Sequence, residues 1–103
     1  MARVHAAPVC IVTLTYTASL DAVDALMKPH VAWLEQGLAE GLLLITGRQV
    51  PRTGGVLICR GHRAEVEAYA ASDPFVAGDV ATIAVVEMAA GLVADGIAPL
   101  LEG

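Results

Sequence analysis

The stretch Leu42–Arg60, LLLITGRQVPRTGGVLICR, decides how the chain folds. Its two apolar runs, Leu42–Thr46 and Val56–Arg60, are short enough for strands. The segment between them, Gly47–Gly55, is rich in Pro and Gly, which is typical of a turn region. The sequence therefore predicts two strands that follow each other directly at the centre of the chain.

A helical pattern precedes this pair of strands. Between positions 20 and 40, apolar residues recur at spacings of three and four from Val23 to Leu38, which predicts one buried helical face. Ser19 or Asp21 can cap the start of the helix. Pro29 interrupts the pattern, because proline lacks a backbone donor and clashes with the preceding turn. We expect a kink or a restart of the helix at Pro29.

The remaining elements complete a regular order. A second helix is predicted over His62–Ser72, and Asp73-Pro74 ends it. Pro8–Thr17 and Val80–Met88 contain the alternating, β-branched residues of strands. The order is β-α-β-β-α-β. It indicates an α+β fold of the ferredoxin-like type, with one antiparallel sheet and two helices on one face.

Size and composition fit one compact domain. The chain has 103 residues, of which 56% are hydrophobic and 17% charged, so it can bury a core and is not disordered. We expect a single domain over 1–103, with its core in 8–88. The net charge of −5 argues against nucleic acid as a partner, because phosphate binding needs clustered Lys and Arg.

One face of the predicted sheet lacks a cover. The helices cover one face only, and strands two and four are too apolar to face water. A second subunit is the simplest cover, which predicts a homodimer or a higher assembly of identical chains. The apolar segment 89–103 is expected to be a tail that lies across a partner subunit.

Several classes of site are not indicated. No run of about 18 apolar residues suggests a membrane span, and Val4–Ser19 alternates with Thr as a strand does. A signal peptide is poorly supported, so we expect a cytoplasmic protein. Cys10 and Cys59 lie in strand-like runs and are expected to be buried small residues rather than a disulfide. No metal or cofactor motif is present, so we expect neither.

His30 and Asp73 are the candidate catalytic residues. His30 lies in the apolar stripe of the first helix, where burial disfavours a charged ring. In a ferredoxin-like fold the two helices lie side by side, so Asp73 can approach His30. Such a pair fixes the imidazole tautomer and makes it a better proton acceptor. The other interpretation is a structural histidine and an Asp that starts a turn.

A substrate-binding region is also indicated. Four of the six basic residues lie at positions 48–63, which favours an anionic substrate or, alternatively, a solvated loop. Arg48 is the best candidate among them, and Lys28 is a further cation near His30. The pocket candidates Tyr16, Ser19, Trp33 and Phe75 complete the set, although Trp33 and Phe75 are also typical core residues.

The ordered motifs resemble the YciI-like, or YCII-related, family. The motifs are the His-centred segment HVAWL at 30–34, GLLLITG at 41–47, GVLI at 55–58 and DPFVAG at 73–78. This resemblance implies a dimeric α+β barrel and a catalytic pair at His30 and Asp73. One branch of the family removes chloride from a chlorinated hydroxyhydroquinone. Gly47-Arg48 stands where the family commonly has Gly-Pro, and Lys28 is the only basic residue shortly before His30.

Two hypotheses follow from the sequence. The first is a small-molecule enzyme without cofactor, in which His30 takes a proton and Asp73 orients it, leading to elimination or isomerisation as in a dehydrochlorinase or other lyase, or an isomerase. Monooxygenase chemistry has less support. The second is a non-catalytic dimer that binds a small ligand or serves as an accessory subunit. There, the two residues form a structural hydrogen bond.

Overall fold

The computed structural model of the protein describes residues 1–102, which follow the predicted order with two helical regions divided further. The strands are β1 (Ala2–Tyr16), β2 (Leu43–Arg48), β3 (Gly54–Arg60) and β4 (Ala81–Val93). The helices are α1 (Leu20–Ala25), α2 (Met27–Ala39), α3 (Arg63–Ala71), α4 (Pro74–Ala77) and α5 (Ala98–Glu102). None of the helices in this described part of the chain is long and apolar enough to span a membrane.

The four strands form one antiparallel sheet in the order β2-β3-β1-β4. β1 and β3 lie at the centre, with Val12 opposite Leu57 in their register. The hairpin strands β2 and β3 are direct neighbours, as their position in the sequence indicates. This is the ferredoxin-like topology, so the predicted α+β fold class is confirmed.

Alternate residues of the central strands build the main core. Cys10, Val12 and Leu14 of β1 are buried on the face that the helices cover. They belong to one cluster with Val66 of α3 and Phe75 of α4. The period of two along β1 therefore meets the apolar stripes of the helices on a single face of the sheet.

The two cysteines lie inside this core. Cys10 and Cys59 are opposite each other in the β1–β3 register, and both are free and fully buried. Burial raises the pKa of the Cys59 thiol to about 11 and also raises the pKa of Cys10. Because the thiolate is the reactive form, both act as small apolar residues, as expected.

The first helical region breaks earlier than expected. α1 ends before Leu26, and α2 starts at Met27 without a side-chain cap. Pro29 then lies in the first turn of α2. Backbone N–H groups in a first turn have no acceptor within the helix, so a proline there costs no hydrogen bond. The restart of the helix is therefore at Leu26 rather than at Pro29.

The first and last strands along the chain, β1 and β4, are longer than the sequence pattern indicates. β1 begins at Ala2 instead of Pro8, and β4 continues to Val93 instead of Met88. Their added residues pair with each other, Ala2 opposite Val93, around an irregularity between Arg3 and Ala7. Non-local backbone pairing extends both strands where side-chain alternation gives no signal.

The second face of the sheet is only partly covered. Residues 89–93 belong to β4, and Leu101 of α5 is buried in a cluster with Val9 and Ala90. The end of the chain therefore packs on its own sheet, and Gly103 lies outside the described residues. Elsewhere on this face, Ile45 and Val86 are 62% and 61% exposed. Cover of this apolar area by a partner subunit stays a prediction.

Candidate active site

His30 lies at the end of the first turn of α2. Its backbone N–H donates to the carbonyl of Leu26 at 3.1 Å, which fixes the residue directly after the helix break. Its side chain is 10% exposed, and His30 and Asp73 are the two buried polar residues within residues 1–102. The helix break therefore places a titratable ring against the core.

Asp73 enters the site from the junction between α3 and α4. It is the N-cap of α4, and its Oδ1 accepts the Phe75 N–H at 2.9 Å. Pro74 at the first helical position suits this arrangement, because its missing N–H is not needed there. The turn signal in Asp73-Pro74 thus starts a new short helix as well as ending α3.

The structure brings these two residues into direct contact. His30 Nδ1 lies 2.7 Å from Asp73 Oδ1, and the Asp73 side chain is fully buried. A carboxylate only accepts, so Nδ1 carries the proton that is donated to Oδ1. In the neutral ring, the lone pair is then on Nε2. This is the tautomer in which an imidazole can take a proton through Nε2.

Aromatic rings hold the imidazole on its faces. Phe75 stacks on His30 with ring centroids 3.8 Å apart and an angle of 11° between the ring planes. Trp33 follows at 6.0 Å, and Tyr69 stacks on Trp33 at 4.1 Å. The four rings form a column, which we call the ring column, that crosses from α4 through α2 to α3. Burial raises the pKa of the Tyr69 hydroxyl well above its usual range.

A cavity of about 280 Å³ opens beside His30, between α2 and the ends of β1, β2 and β3. Its walls are mainly apolar, and the polar groups of Tyr16, His30 and Arg48 lie among them. A small volume with few polar groups is typical of a site for a small molecule. The remaining lining residues are Leu14, Met27, Val31, Leu34, Thr46, Gly47, Gly55 and Phe75.

The helical positions of α2 explain which predicted residues line the cavity. Each residue advances about 100° around a helix, so Leu34 is about 40° from His30 on the cavity side. Trp33 is about 60° away on the other side and does not line the cavity. Lys28 points about 160° away from His30 and is exposed. Of the predicted residues His30, Trp33 and Lys28, only His30 lines the cavity.

The other predicted binding residues divide in the same way. Tyr16, Arg48 and Phe75 line the cavity with His30. Arg48 is the last residue of β2 and is exposed at the cavity edge. Ser19 instead caps α1, where its hydroxyl accepts the Ala22 N–H at 3.2 Å. The structure therefore gathers four of the eight predicted residues at the cavity, with Asp73 held behind His30.

Sequence reasoning missed part of the cavity wall. Leu34 and Val31 could have been assigned from their helical distance to His30. Leu14 and Gly55 lie opposite each other in the β1–β3 register. Gly55 lines the cavity, and a Cβ atom on it would lie 3.2 Å from the Gly47 carbonyl oxygen, closer than an ordinary contact. No local sequence signal distinguishes this glycine from those of the adjoining turn.

A second basic residue, Arg52, contacts the cavity residue Tyr16 but does not line the cavity itself. The Arg52 guanidinium donates to Asp24 of α1 at 2.6 Å and lies over the Tyr16 ring at 5.9 Å. The Asp24 carboxylate beside it raises the pKa of Arg52. Within residues 1–102, no cluster of three His, Cys, Asp or Glu side chains has the arrangement of a metal site.

The fold and the site define the class of this protein. It is a ferredoxin-like α+β domain with a mainly apolar cavity between the sheet and the helices. Residues 7–89 match the sequence model of the YCII-related domain, so the chain belongs to the YCII-related family. The family resemblance of the motifs is thereby confirmed. No curated protein matches the chain.

A solved structure shares the fold. The 5-chloro-2-hydroxyhydroquinone dehydrochlorinase TftG from Burkholderia phenoliruptrix AC1100, in complex with 2,5-dihydroxybenzoquinone, superposes with a TM-score of 0.66. The sequences are 20% identical, and the match covers 76% of this chain and 90% of the dehydrochlorinase. At this identity the similarity establishes the common fold.

The buried pair makes a testable contribution to stability. Asp73→Ala removes the cap of α4 and leaves a buried His30 donor without an acceptor. We expect the free energy of unfolding to fall by about 2–4 kcal/mol, the sum of a lost cap and a buried unpaired group. Asp73→Asn retains an oxygen acceptor and should cost less. Urea unfolding measures both.

The matched control for this prediction is Asp95→Ala. Asp95 is 82% exposed and pairs with the amino terminus, so its loss should change stability by less than about 0.5 kcal/mol. An Asp73→Ala variant as stable as this control would show that the buried pair does not support the fold.

Proposed function

We propose that the protein is a small-molecule enzyme in which His30 is the general base and Asp73 orients it. The observation that carries this proposal is the 2.7 Å contact between Nδ1 and Oδ1 beside an accessible cavity. Asp73 holds the proton on Nδ1 and stabilises the imidazolium that forms when Nε2 takes a second proton. A base positioned in this way contributes about 10²–10⁴-fold to a rate.

The proposed reaction is proton abstraction followed by elimination or isomerisation. Nε2 of His30 takes a proton from a carbon or hydroxyl of an enolisable or ring-shaped substrate. The electron pair left behind forms a new double bond. In an elimination, as in a lyase of the dehydrochlorinase type, a leaving group departs with its electrons, and His30 returns its proton to solvent. In an isomerisation, the proton returns to a different atom of the substrate.

The cavity supports a small, largely apolar substrate that carries one anionic group. Its apolar walls suit a single ring, and the Arg48 guanidinium at its edge can hold a carboxylate or phenolate. Within residues 1–102, Arg48 makes no ion pair of its own. The ligand of the similar dehydrochlorinase, 2,5-dihydroxybenzoquinone, is also a small ring, which supports this class of substrate.

A non-catalytic function is the second candidate. The His30 ring is stacked, mostly buried and hydrogen-bonded, which is also how a structural histidine is held. In this case the protein binds a small ligand or serves as an accessory subunit, and the pair contributes only to stability. The cavity beside His30 favours the enzyme, because a purely structural pair needs no adjoining space.

We further propose that the protein works in the cytoplasm as a homodimer. Its two cysteines are free, which suits a reducing compartment. The exposed apolar residues Ile45, Val86 and Met88 belong to the sheet face opposite α2 and α3. A second copy can cover this face around a twofold axis, with the same patch on both subunits.

Two variants separate the proposed roles of the cavity residues. With 5-chloro-2-hydroxyhydroquinone as the probe substrate, we expect His30→Gln to lower chloride release by about 10²–10⁴-fold. The same variant should still bind 2,5-dihydroxybenzoquinone, as measured by calorimetry. Arg48→Gln should weaken that binding by about tenfold or more, because it removes a charge-assisted hydrogen bond.

The control for these variants is His5→Gln. His5 is exposed near the start of β1, whereas the cavity lies at the other end of that strand, at Leu14 and Tyr16. This control should leave both chloride release and binding unchanged. Undiminished chloride release by His30→Gln would contradict the general-base role. Tight binding by the wild type with no chloride release would favour the non-catalytic function for this class of ligand.

The dimer proposal is tested by a charge placed on the open sheet face. We expect the wild type to have twice the 10.6 kDa mass of one chain in light scattering after gel filtration. Val86→Glu should be monomeric, because it places a charge in an apolar interface. Leu38→Glu, at an exposed position of α2, should remain dimeric. A monomeric wild type would contradict the proposal.

A further inference from the structure

We propose that Ser72 is a positioning residue for the His30–Asp73 pair, acting through the indole of Trp33. This inference rests on the proposed function of that pair. Trp33 Nε1 donates to Ser72 Oγ at 2.9 Å, one helical turn along α2 from the 2.7 Å contact between His30 and Asp73. The two hydrogen bonds join the same two segments of the protein, and we call the second one the indole latch.

The two hydrogen bonds link neighbouring positions of α2 to neighbouring positions of the α3–α4 junction. His30 and Trp33 are three residues apart on α2, so they occupy neighbouring positions on one side of the helix. Ser72 and Asp73 are consecutive residues at the junction between α3 and α4. A single hydrogen bond between α2 and the junction still lets the helix rotate about that point. A second hydrogen bond one turn away opposes this rotation.

The acceptor of the indole latch is itself held in place. The Ser72 hydroxyl donates to the Tyr69 carbonyl at 2.6 Å, so its lone pairs are available to the Trp33 N–H. An indole N–H can only donate, so the direction of this bond is fixed. The Trp33 ring also stacks on Tyr69 at 4.1 Å. Ser72 therefore contacts Trp33 directly through its hydroxyl. The same hydroxyl also binds the backbone of Tyr69, whose ring stacks on Trp33.

The position of Tyr69 is fixed by close packing beneath it. A Cβ atom on Gly37 would lie 2.0 Å from the Tyr69 hydroxyl oxygen, so the ring sits directly on the bare backbone of α2. The hydroxyl end of Tyr69, at the α3 end of the ring column, therefore packs against α2 at Gly37. The order of the ring column places Trp33 between Tyr69 and His30, so a displaced indole removes the support on that side of the imidazole.

The need for a latch follows from the start of α2. This helix begins at a break, and its N-cap, Leu26, makes no side-chain hydrogen bond. A hydrogen bond of 2.7 Å weakens markedly once its heavy atoms move beyond about 3.2 Å, so a displacement of half an ångström matters. The indole latch restricts such displacements without touching the cavity, whose lining includes neither Trp33 nor Ser72.

The test measures how often the Nδ1 proton of His30 exchanges with water, by NMR on the isolated full chain. We expect Ser72→Ala and Trp33→Phe each to raise this exchange rate about fivefold, the factor that corresponds to one net hydrogen bond. Ser72→Thr retains the hydroxyl and should restore the wild-type rate. The double variant Ser72→Ala, Trp33→Phe should be no faster than either single variant, because both remove the same bond.

Backbone amide exchange at Val12, in the main core, distinguishes positioning from a general loss of stability. The proposal requires that this rate stays unchanged while the His30 rate rises. An unchanged His30 rate, a parallel rise at Val12 or failure of Ser72→Thr to restore the rate would each overturn it. This measurement uses no substrate. A negative result would therefore overturn the role of Ser72 alone, because the general-base proposal is tested separately by chloride release by His30→Gln.

Discussion

The hydrogen bond between His30 and Asp73 is the constraint on which the site depends. It joins a helix that starts at a break to a junction between two other helices, and both side chains are buried where it forms. Burial makes the bond obligatory, because an unpaired donor or carboxylate there would cost more than the bond itself contributes. The same bond selects the ring tautomer. One contact therefore satisfies both buried groups and fixes the form of the neutral ring.

The sheet forms one wall of the cavity beside this pair. The hairpin of β2 and β3 ends beside α2, and its glycines leave the sheet surface bare under the cavity. Arg48 closes β2 at the cavity edge, opposite Gly55 in the register. The ring column then fixes the imidazole from the helix side. The end of the sheet and α2 thus place Arg48 and His30 around the same apolar cavity.

The fold and the contact between His30 and Asp73 could be predicted because the signals for the order of elements are local. Hydrophobic period and turn residues give the order of elements, and that order brings His30 and Asp73 to adjacent helices. The break at Leu26 could not be predicted, since it depends on tertiary packing: a Cβ atom on Gly78 would lie 2.5 Å from Leu26 Cδ1. The exclusion of Lys28 from the cavity follows from helical geometry once the helix is known to be regular from Met27 onward.

The most direct test of this account is the tautomer of His30, read from its ring nitrogens by long-range proton–nitrogen NMR at a pH where the ring is neutral. The account predicts a proton on Nδ1 and a lone pair on Nε2 in the wild type. On addition of 2,5-dihydroxybenzoquinone, the Nε2 resonance should shift more than that of Nδ1. A neutral ring with its proton on Nε2 would contradict the account, because Nε2 would then have no lone pair with which to accept a proton.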